Sequence, residues 1–263
     1  MKDFFDLNNP DYAYMLGLFQ TDGSLSKSTR NRGHFSIEMS FARKPLLEKI
    51  AKLIPYNTTI GDRTRDTNFQ DNYHSVFLRV CNWEFRTIIN SKGVPYGRKS
   101  EIIKPPIGKF SEPDYYRGLI DGDGSIGITQ RNLPFISLTT ASQDLCDAYI
   151  AYIYKHTGSR KVVNRNKRDD IYNIISFREP SQTLAKLLYY ESCNLCIEEK
   201  KKNSRLVTQW QRSSHLPPYV HIKYWEDWEV EFILSHSIED SMKKLERTKQ
   251  SVKMKLWRLA NNK

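Results

Sequence analysis

Apolar residues recur along this chain with two periods, and the alternation of those periods organises it. Period-two alternation runs through His34-Phe35-Ser36-Ile37-Glu38-Met39-Ser40-Phe41 and Ser75-Val76-Phe77-Leu78-Arg79-Val80. It returns in Phe135-Ile136-Ser137-Leu138-Thr139 and Tyr172-Asn173-Ile174-Ile175-Ser176-Phe177, and each stretch predicts a half-buried strand. Between and before them the spacing turns helical. Asn9-Pro10-Asp11 is a start signal for a helix from Asp11 to Gly23, and Glu112-Pro113-Asp114 opens a second of the same kind. Lys44 to Leu53 and Gln143 to His156 read as helices lying between the strands of each half, and Lys104-Pro105-Pro106-Ile107-Gly108 reads as a linker. The expected fold class is α+β: two pseudo-symmetric αββαββα repeats, residues 1–104 and 105–212, each with an antiparallel sheet.

Beyond Leu216-Pro217-Pro218 the strand pattern stops. Trp225 to Leu234, Ile238 to Leu245 and Thr248 to Leu259 read as three helices. The stretch Leu245-Glu246-Arg247-Thr248-Lys249-Gln250-Ser251-Val252-Lys253-Met254-Lys255-Leu256 resembles the turn and recognition helix of small Myb-like or helix-turn-helix modules. Thr248 stands at a capping position, and Val252, Leu256 and Leu259 fall on the core side. Lys249, Gln250, Lys253, Lys255 and Arg258 are left for DNA. Residues 220–263 are therefore expected to form a small all-α, DNA-binding module; a plain helix bundle extending the core is the other reading.

Within the two repeats, Met15-Leu16-Gly17-Leu18-Phe19-Gln20-Thr21-Asp22-Gly23-Ser24 and Tyr116-Arg117-Gly118-Leu119-Ile120-Asp121-Gly122-Asp123-Gly124-Ser125 are versions of one another. On a helix, Gly17 and Thr21 share one face, as do Gly118 and Gly122, so two such helices can approach closely. Glycine inside a helix costs about 1 kcal/mol relative to alanine, so a matched pair suggests a packing reason. Asp-Gly then ends each helix, with Gly23 and Gly124 expected in the left-handed conformation that often follows a last turn. Asp22 and Asp123 would sit together at helix C-termini, where the dipole is negative and a hard cation such as Mg²⁺ is wanted. A single Asp-Gly is usually only a turn; two at the same offset in matched stretches point to a paired site.

These two stretches resemble the motif of the LAGLIDADG homing endonucleases, in the single-chain form with two motifs. The match covers Met15–Ser24 and Tyr116–Ser125 and, more loosely, the region containing both repeats. Gly17, Asp22 and Gly23 match the core of the motif in one copy, and Gly118, Asp123 and Gly124 in the other. Gln20 stands where the motif's earlier Asp would be, Leu16 and Arg117 replace its Ala, and Met15 and Tyr116 its first Leu. Asp121 occupies the earlier, variable acidic position and receives no catalytic role. The resemblance implies that Asp22 and Asp123 hold the metal, with the Thr21 and Gly122 positions beside them as further ligands. It also implies a basic residue near the end of each repeat to stabilise charge or orient water; Gly97-Arg98-Lys99-Ser100 and Glu199-Lys200-Lys201-Lys202 suggest Lys99 and Lys200, with the neighbouring Arg98 and Lys201 as alternatives.

Charge agrees with a nucleic-acid partner. Lys and Arg number 41 against 30 Asp and Glu, a net charge of +11, which favours a polyanion and salt-sensitive binding. Basic charge alone would also suit a ribosomal or membrane-surface protein. On and between the strands, Ser26, Lys27, Arg30, Arg32, Glu38, Arg43, Arg63, Arg65 and Arg79 in the first repeat would line a DNA-facing surface. Gln130, Arg131, Arg160, Lys161, Asn164, Arg165, Lys167 and Arg168 would do so in the second. A two-stranded ribbon fits the major groove, where Arg, Gln, Asn and Glu read base edges. No apolar run approaches the ~20 residues that span a bilayer, and the N-terminus lacks a signal-peptide pattern, so a soluble intracellular protein is expected, cytoplasmic or organellar according to host. Cys193 and Cys196 with His215 and His221 invite a zinc reading, but the gap is long for a finger and buried free thiols are expected instead.

The resemblance implies a site-specific endonuclease making a staggered double-strand break in a long DNA target, acting as a monomer with Mg²⁺, with Mn²⁺ as a substitute and Ca²⁺ supporting binding only. It further implies a gene lying in an intron or intein; without a splicing Cys or Ser at the start and a terminal His-Asn, an intein is disfavoured. Two readings of other classes stay open. One is a non-cleaving transcriptional regulator on the same fold, expected to have lost the acids; the other is a maturase that binds intron RNA.

Overall fold

The two motif helices lie against each other, and the rest of the first compact unit is arranged around them. The computed structural model describes residues 4–67, 71–215 and 224–261; Leu216-Pro217-Pro218 and His221 lie outside them. The chain divides into two compact units, Met1–Tyr219 and Val220–Lys263. In the first repeat the order is α1 (Pro10–Thr21), β1 (Gly23–Leu25), β2 (Phe35–Ser40), α2 (Lys44–Leu53), β3 (Thr59–Arg65), β4 (Tyr73–Val80) and α3 (Trp83–Ser91). The second runs α4 (Glu112–Asp123), β5 (Gly124–Ile128), β6 (Pro134–Thr140), α5 (Gln143–Thr157), β7 (Tyr172–Phe177), α6 (Arg178–Leu188) and α7 (Glu198–Gln209).

Both sheets are antiparallel. The first has the strand order β1-β2-β4-β3 and the second β5-β6-β7. The expected fourth strand of the second sheet is absent among the described residues, so that repeat departs from αββαββα. The segment from Ser159 to Asp170 is dense in Arg, Lys, Asn and Asp and offers no apolar alternation to bury; Val162 is 90% exposed. It folds on itself instead, with Asn166 and Ile171 forming one isolated bridge and the Asn166 side chain accepting from the Arg168 N–H at 2.9 Å.

The close approach predicted for the motif helices is present at backbone level. A Cβ on Gly17 would lie 2.3 Å from the Tyr115 carbonyl oxygen, and one on Gly118 would lie 2.2 Å from that of Tyr14. Gly122 abuts the Thr21 hydroxyl as closely. Two hydrogen bonds cross the contact at matching positions: Tyr14 donates its hydroxyl to Asp121 at 2.8 Å, and Tyr115 donates to Gln20 at 2.7 Å.

The expectation for Gly23 and Gly124 is corrected. Gly124 is extended, at φ −114 and ψ 177, and Gly23 is not among the glycines with positive φ. Both are the first residues of strands, and space is what they need: a Cβ on Gly23 would meet the Phe19 carbonyl oxygen at 2.5 Å, and one on Gly124 the Ser137 carbonyl oxygen at 2.6 Å. The sheet turns back directly over the end of its own helix.

Buried aromatics fill the first repeat, where Phe5, Phe19, Phe35 and Phe85 are fully buried, and a tyrosine group, Tyr115, Tyr116, Tyr149 and Tyr152, fills the second. Arg117, the substitute for the motif's Ala, is buried and fully engaged by Asp114 at 2.5 Å and by the Leu188 and Leu195 carbonyls. The linker is pinned: Lys104 O accepts from Gln20, and Ile103 O accepts from Ser142.

In the second unit, α8 (Asp227–Ser235), α9 (Ile238–Leu245) and α10 (Lys249–Asn261) pack on Ile233, Leu245 and Val252. A buried Arg247–Glu229 ion pair, with Arg247 4.0 Å from the Trp225 ring centroid, ties the α9–α10 turn to α8. Thr248 caps α10 by accepting from the Ser251 N–H, and Lys249, Gln250, Lys253 and Arg258 are exposed along it, while Lys255 is half-buried. Among the described residues no helix is long and apolar enough to cross a membrane.

Gly118→Ala is expected to lower unfolding free energy by about 3 kcal/mol or more, because neither backbone can yield at 2.2 Å. Gly127→Ala, whose Cβ would meet only the Phe135 ring at 3.5 Å, should stay within about 1 kcal/mol of the parent in the same urea titration.

Candidate active site

Each motif helix ends by delivering a carboxylate. Asp22 caps α1, its N–H bonded to the Leu18 carbonyl at 2.9 Å, and Asp123 is the last residue of α4. Because the helices touch at Gly17 and Gly118, their negative ends lie together, and the two acids feel one another. Burial, and then the charge of Asp123, push the Asp22 carboxyl up to about 6; Lys99 and Lys200 oppose the shift. Asp123 is more open to solvent, yet the surrounding protein raises its carboxyl above the usual range as well, against the same two lysines.

The lysines chosen from sequence both reach this place, one from each repeat. Lys99 donates to the carbonyls of Gln20 and Thr21 at the end of α1. Lys200 donates to the carbonyls of Ile120 and Asp121 at 2.7 Å and of Gly124 at 2.9 Å at the end of α4. They cap the helix ends with positive charge where the dipole is negative. Burial lowers both ammonium groups, Lys99 to about 8, while Asp123 and Asp22 pull it back up.

The donor set at the centre is oxygen only: two carboxylates and main-chain carbonyls, which suits a hard divalent cation. Two neighbouring carboxylates, Asp123 exposed and Asp22 half-buried and held to about 6, are the electrostatic signature of such a position. Thr21's carbonyl, expected among the ligands, is engaged by Lys99 in this structure. Asp121 faces inward: it accepts from Tyr14, from Tyr189 at 2.6 Å and from the Ile197 N–H at 2.7 Å. Among the described residues no group of three or more His, Cys, Asp and Glu gathers as a metal site, at these helix ends or elsewhere, so the carboxylates here are the two of Asp22 and Asp123; Cys193 and Cys196 are buried free thiols.

Strand register sorts the sheet residues. In the first sheet Phe35, Ile37, Val76, Leu78 and Val80 are buried, which turns Ser36, Glu38, Ser75, Phe77 and Arg79 to the other face with Arg63 and Arg65 beside them. Arg79 stacks on Phe77, 5.3 Å from its centroid. Lys27, Arg30 and Arg32 are exposed on the β1–β2 connection. That loop is held from below by Arg86, a fully buried residue that sequence reasoning missed. Its guanidinium donates to the carbonyls of Ser26, Ser28 and Arg30; an arginine inside an otherwise amphipathic helix was the available signal.

In the second sheet the outward positions are neutral, Ser125, Ser137, Thr139 and Asn173, and period two alone would have selected them. The basic and amide residues named for that half lie on connections: Gln130 and Arg131 in the β5–β6 turn, and Arg160, Lys161, Asn164, Arg165, Lys167 and Arg168 between α5 and β7. Several positions are already paired. Arg43 binds Glu199 at 2.6 Å, Arg165 binds Asp170 at 2.9 Å, Arg168 binds Asp169 at 2.9 Å, and Lys249 lies 3.7 Å from Glu239.

No family model matches the sequence, and no match is found among curated protein sequences. Solved structures do match. The homing endonuclease I-DmoI, in mesophilic variants, is similar over 75% of this chain and 98% of its own, with a TM-score of 0.50 and 12% identity. The homing endonuclease I-WcaI bound to its DNA recognition sequence matches 75% of this chain and 87% of its own at TM-score 0.49 and 15% identity. The N-terminal LAGLIDADG domain of DUF199/WhiA matches 70% and 83% at 0.45 and 12%. At these identities what is shared is the fold: this chain has the LAGLIDADG homing-endonuclease fold in its single-chain, two-repeat form.

An Asp22 carboxyl that ionises near 6 instead of 3.8 destabilises the metal-free fold. That contribution is absent below about pH 4, grows as pH rises toward 6 and is complete above it. Asp22→Asn is therefore expected to raise the melting temperature in chelator at pH 7.5 by roughly 2–8 °C, with the gain vanishing near pH 4.

Proposed function

We propose that this chain is a site-specific homing endonuclease that binds a long double-stranded DNA target as a monomer and makes a staggered double-strand break by metal-dependent phosphodiester hydrolysis. The observation that carries the reading is the meeting of Asp22 and Asp123 at abutting helix ends, each with a lysine from its own repeat. The net charge of +11 and the outward Arg63, Arg65 and Arg79 of the first sheet support double-stranded DNA as the substrate.

Asp22 and Asp123 are the groups that would hold Mg²⁺, or Mn²⁺ in its place; the main-chain oxygen of Gly122 would join them, and that of Thr21 would do so only by giving up its bond from Lys99. Such an ion, when bound, lowers the pKa of a water and offsets charge on the phosphate. The protein's own part is orientation and charge. The two carboxylates fix the position by their attachment to rigid helix ends. Lys99 and Lys200 keep positive charge beside developing negative charge on the phosphoryl oxygens, and with Lys99 near 8 its proton is available to a leaving oxygen. Arg86 holds the Lys27–Arg32 loop in shape for phosphate contact. The exposed positions of α10, Lys249, Gln250 and Lys253, would lengthen the recognised site.

Duplexes selected from a host-genomic or randomised pool in Ca²⁺ and transferred to Mg²⁺ should show discrete double-strand cleavage. Asp22→Asn and Asp123→Asn should each abolish it or reduce it to nicking. Specific binding without cleavage by the parent protein would favour the regulator, and Mg²⁺-independent help to intron splicing would add the maturase. The pair Lys249→Ala and Lys253→Ala is expected to reduce affinity and to lower the salt slope by about 2 without moving the cut.

A further inference from the structure

On the outward face of the first sheet, Glu38 reaches from β2 across the intervening strand β4 to Arg63 on β3. Arg63 is paired in register with Ser75. The two side chains meet fork to fork: Arg63 Nε donates to Glu38 Oε1 at 3.0 Å, and Nη2 donates to Oε2. Ser75, buried beneath them, donates its hydroxyl to Oε1 at 2.6 Å, and Arg65 adds a contact to the same oxygen at 3.3 Å. Glu38 is thus anchored from below and engaged from the side. Its carboxyl is held below the usual range first by the bond from Arg63, and also by that from Ser75.

The occupied edge of Arg63 is the one formed by Nε and Nη2. The edge formed by Nη1 and the second Nη2 hydrogen has no partner among the described residues, and the side chain is 48% exposed. That edge presents two parallel donors, the arrangement that matches O6 and N7 of guanine in the major groove. It would equally fit a phosphate, but the surroundings argue against that use. Glu38 cancels half the charge of the Arg63–Arg65 pair and would repel a phosphate. A backbone contact, besides, needs no fixed plane, whereas reading a base does. Glu38 Oε1 is taken by Arg63 and Ser75 with Arg65 beside it, and Oε2 accepts from Arg63, so only one position on Oε2 is left for a cytosine amino group.

We infer that Arg63 reads a guanine in the target and that Glu38, locked by Ser75, is the positioning residue that fixes the plane of its guanidinium. The inference rests on the proposal that this sheet binds DNA. It is tested on the full chain by selecting duplexes from a randomised pool in Ca²⁺ with the parent protein, Arg63→Lys and Glu38→Gln, each checked by thermal melting. The parent should select a site with a guanine at one position. Both variants should flatten that position, losing roughly 5- to 100-fold discrimination there while preferences elsewhere persist, and Glu38→Gln should bind non-specific DNA as tightly as the parent or more so. Retention of every base preference by either variant would overturn the inference, as would a uniform loss across the site in folded protein. A parent that selects no sequence at all would instead overturn the DNA-reading proposal beneath it.

Discussion

The contact of two helix backbones at Gly17 and Gly118 sets the one distance on which the rest of the site depends. With carbonyl oxygens little more than 2 Å from where a Cβ would stand, the separation of α1 and α4 is fixed by main-chain atoms, which cannot repack as side chains do. Once the helices touch there, their C-terminal ends must come together one turn later, and Asp22 and Asp123 with them. That juxtaposition is electrostatically unfavourable: two dipole ends and two carboxylates share one place. Lys99 and Lys200 answer it from outside the helices. The position therefore calls for positive charge before any ligand is considered.

The same contact is closed by a pair of hydrogen bonds that are symmetric in place and unlike in chemistry. Tyr14 donates to Asp121 and Tyr115 to Gln20. Around Gln20 the remaining partners are two carbonyls, of Gly93 and Lys104, which require donors, and an amide supplies them. Around Asp121 the remaining partners are the Tyr189 hydroxyl and the Ile197 N–H, both donors, and a carboxylate accepts both. The variable position of the motif thus follows the hydrogen-bonding needs of whatever each repeat packs behind it. Bound on three sides and fully buried, Asp121 is kept away from the reacting groups that its neighbour Asp123 can reach.

Period-two stretches and proline-led helix starts carried most of the first unit, because a strand with one buried face and a capped helix leave local marks. The paired acids were readable for the same reason: Asp-Gly after Gly-Leu at one offset is a local pattern, repeated. What was not readable depended on partners distant in sequence. Gly23 and Gly124 suggested left-handed turns, yet they are small because a strand folds back over its own helix. The missing fourth strand could have been suspected from the charge density of Ser159–Asp170, but strand pairing is decided by the neighbour as well. Arg86 left one local sign, an arginine inside an amphipathic helix, but its partners on the β1–β2 loop are about 60 residues away in sequence; the Glu38–Arg63 pairing left none, since it exists only after the sheet brings β2, β3 and β4 together.

The scaffold is two-fold at its centre and not at its surface. The first half offers a four-stranded sheet with Glu38, Arg63, Arg65 and Arg79 outward. The second offers three strands with neutral outward residues, and its basic residues lie on the β5–β6 turn and on the folded segment between α5 and β7. Fixed side chains on a sheet present donors at set spacings, whereas side chains on loops follow a phosphate backbone with less geometric demand. Nothing in the helix contact requires the two surfaces to agree, since the distance between the acids is set below them. On the proposed reading, one chemistry at the centre can serve two half-sites of different sequence, because each surface can change without moving Gly17, Gly118 or the carboxylates they bring together.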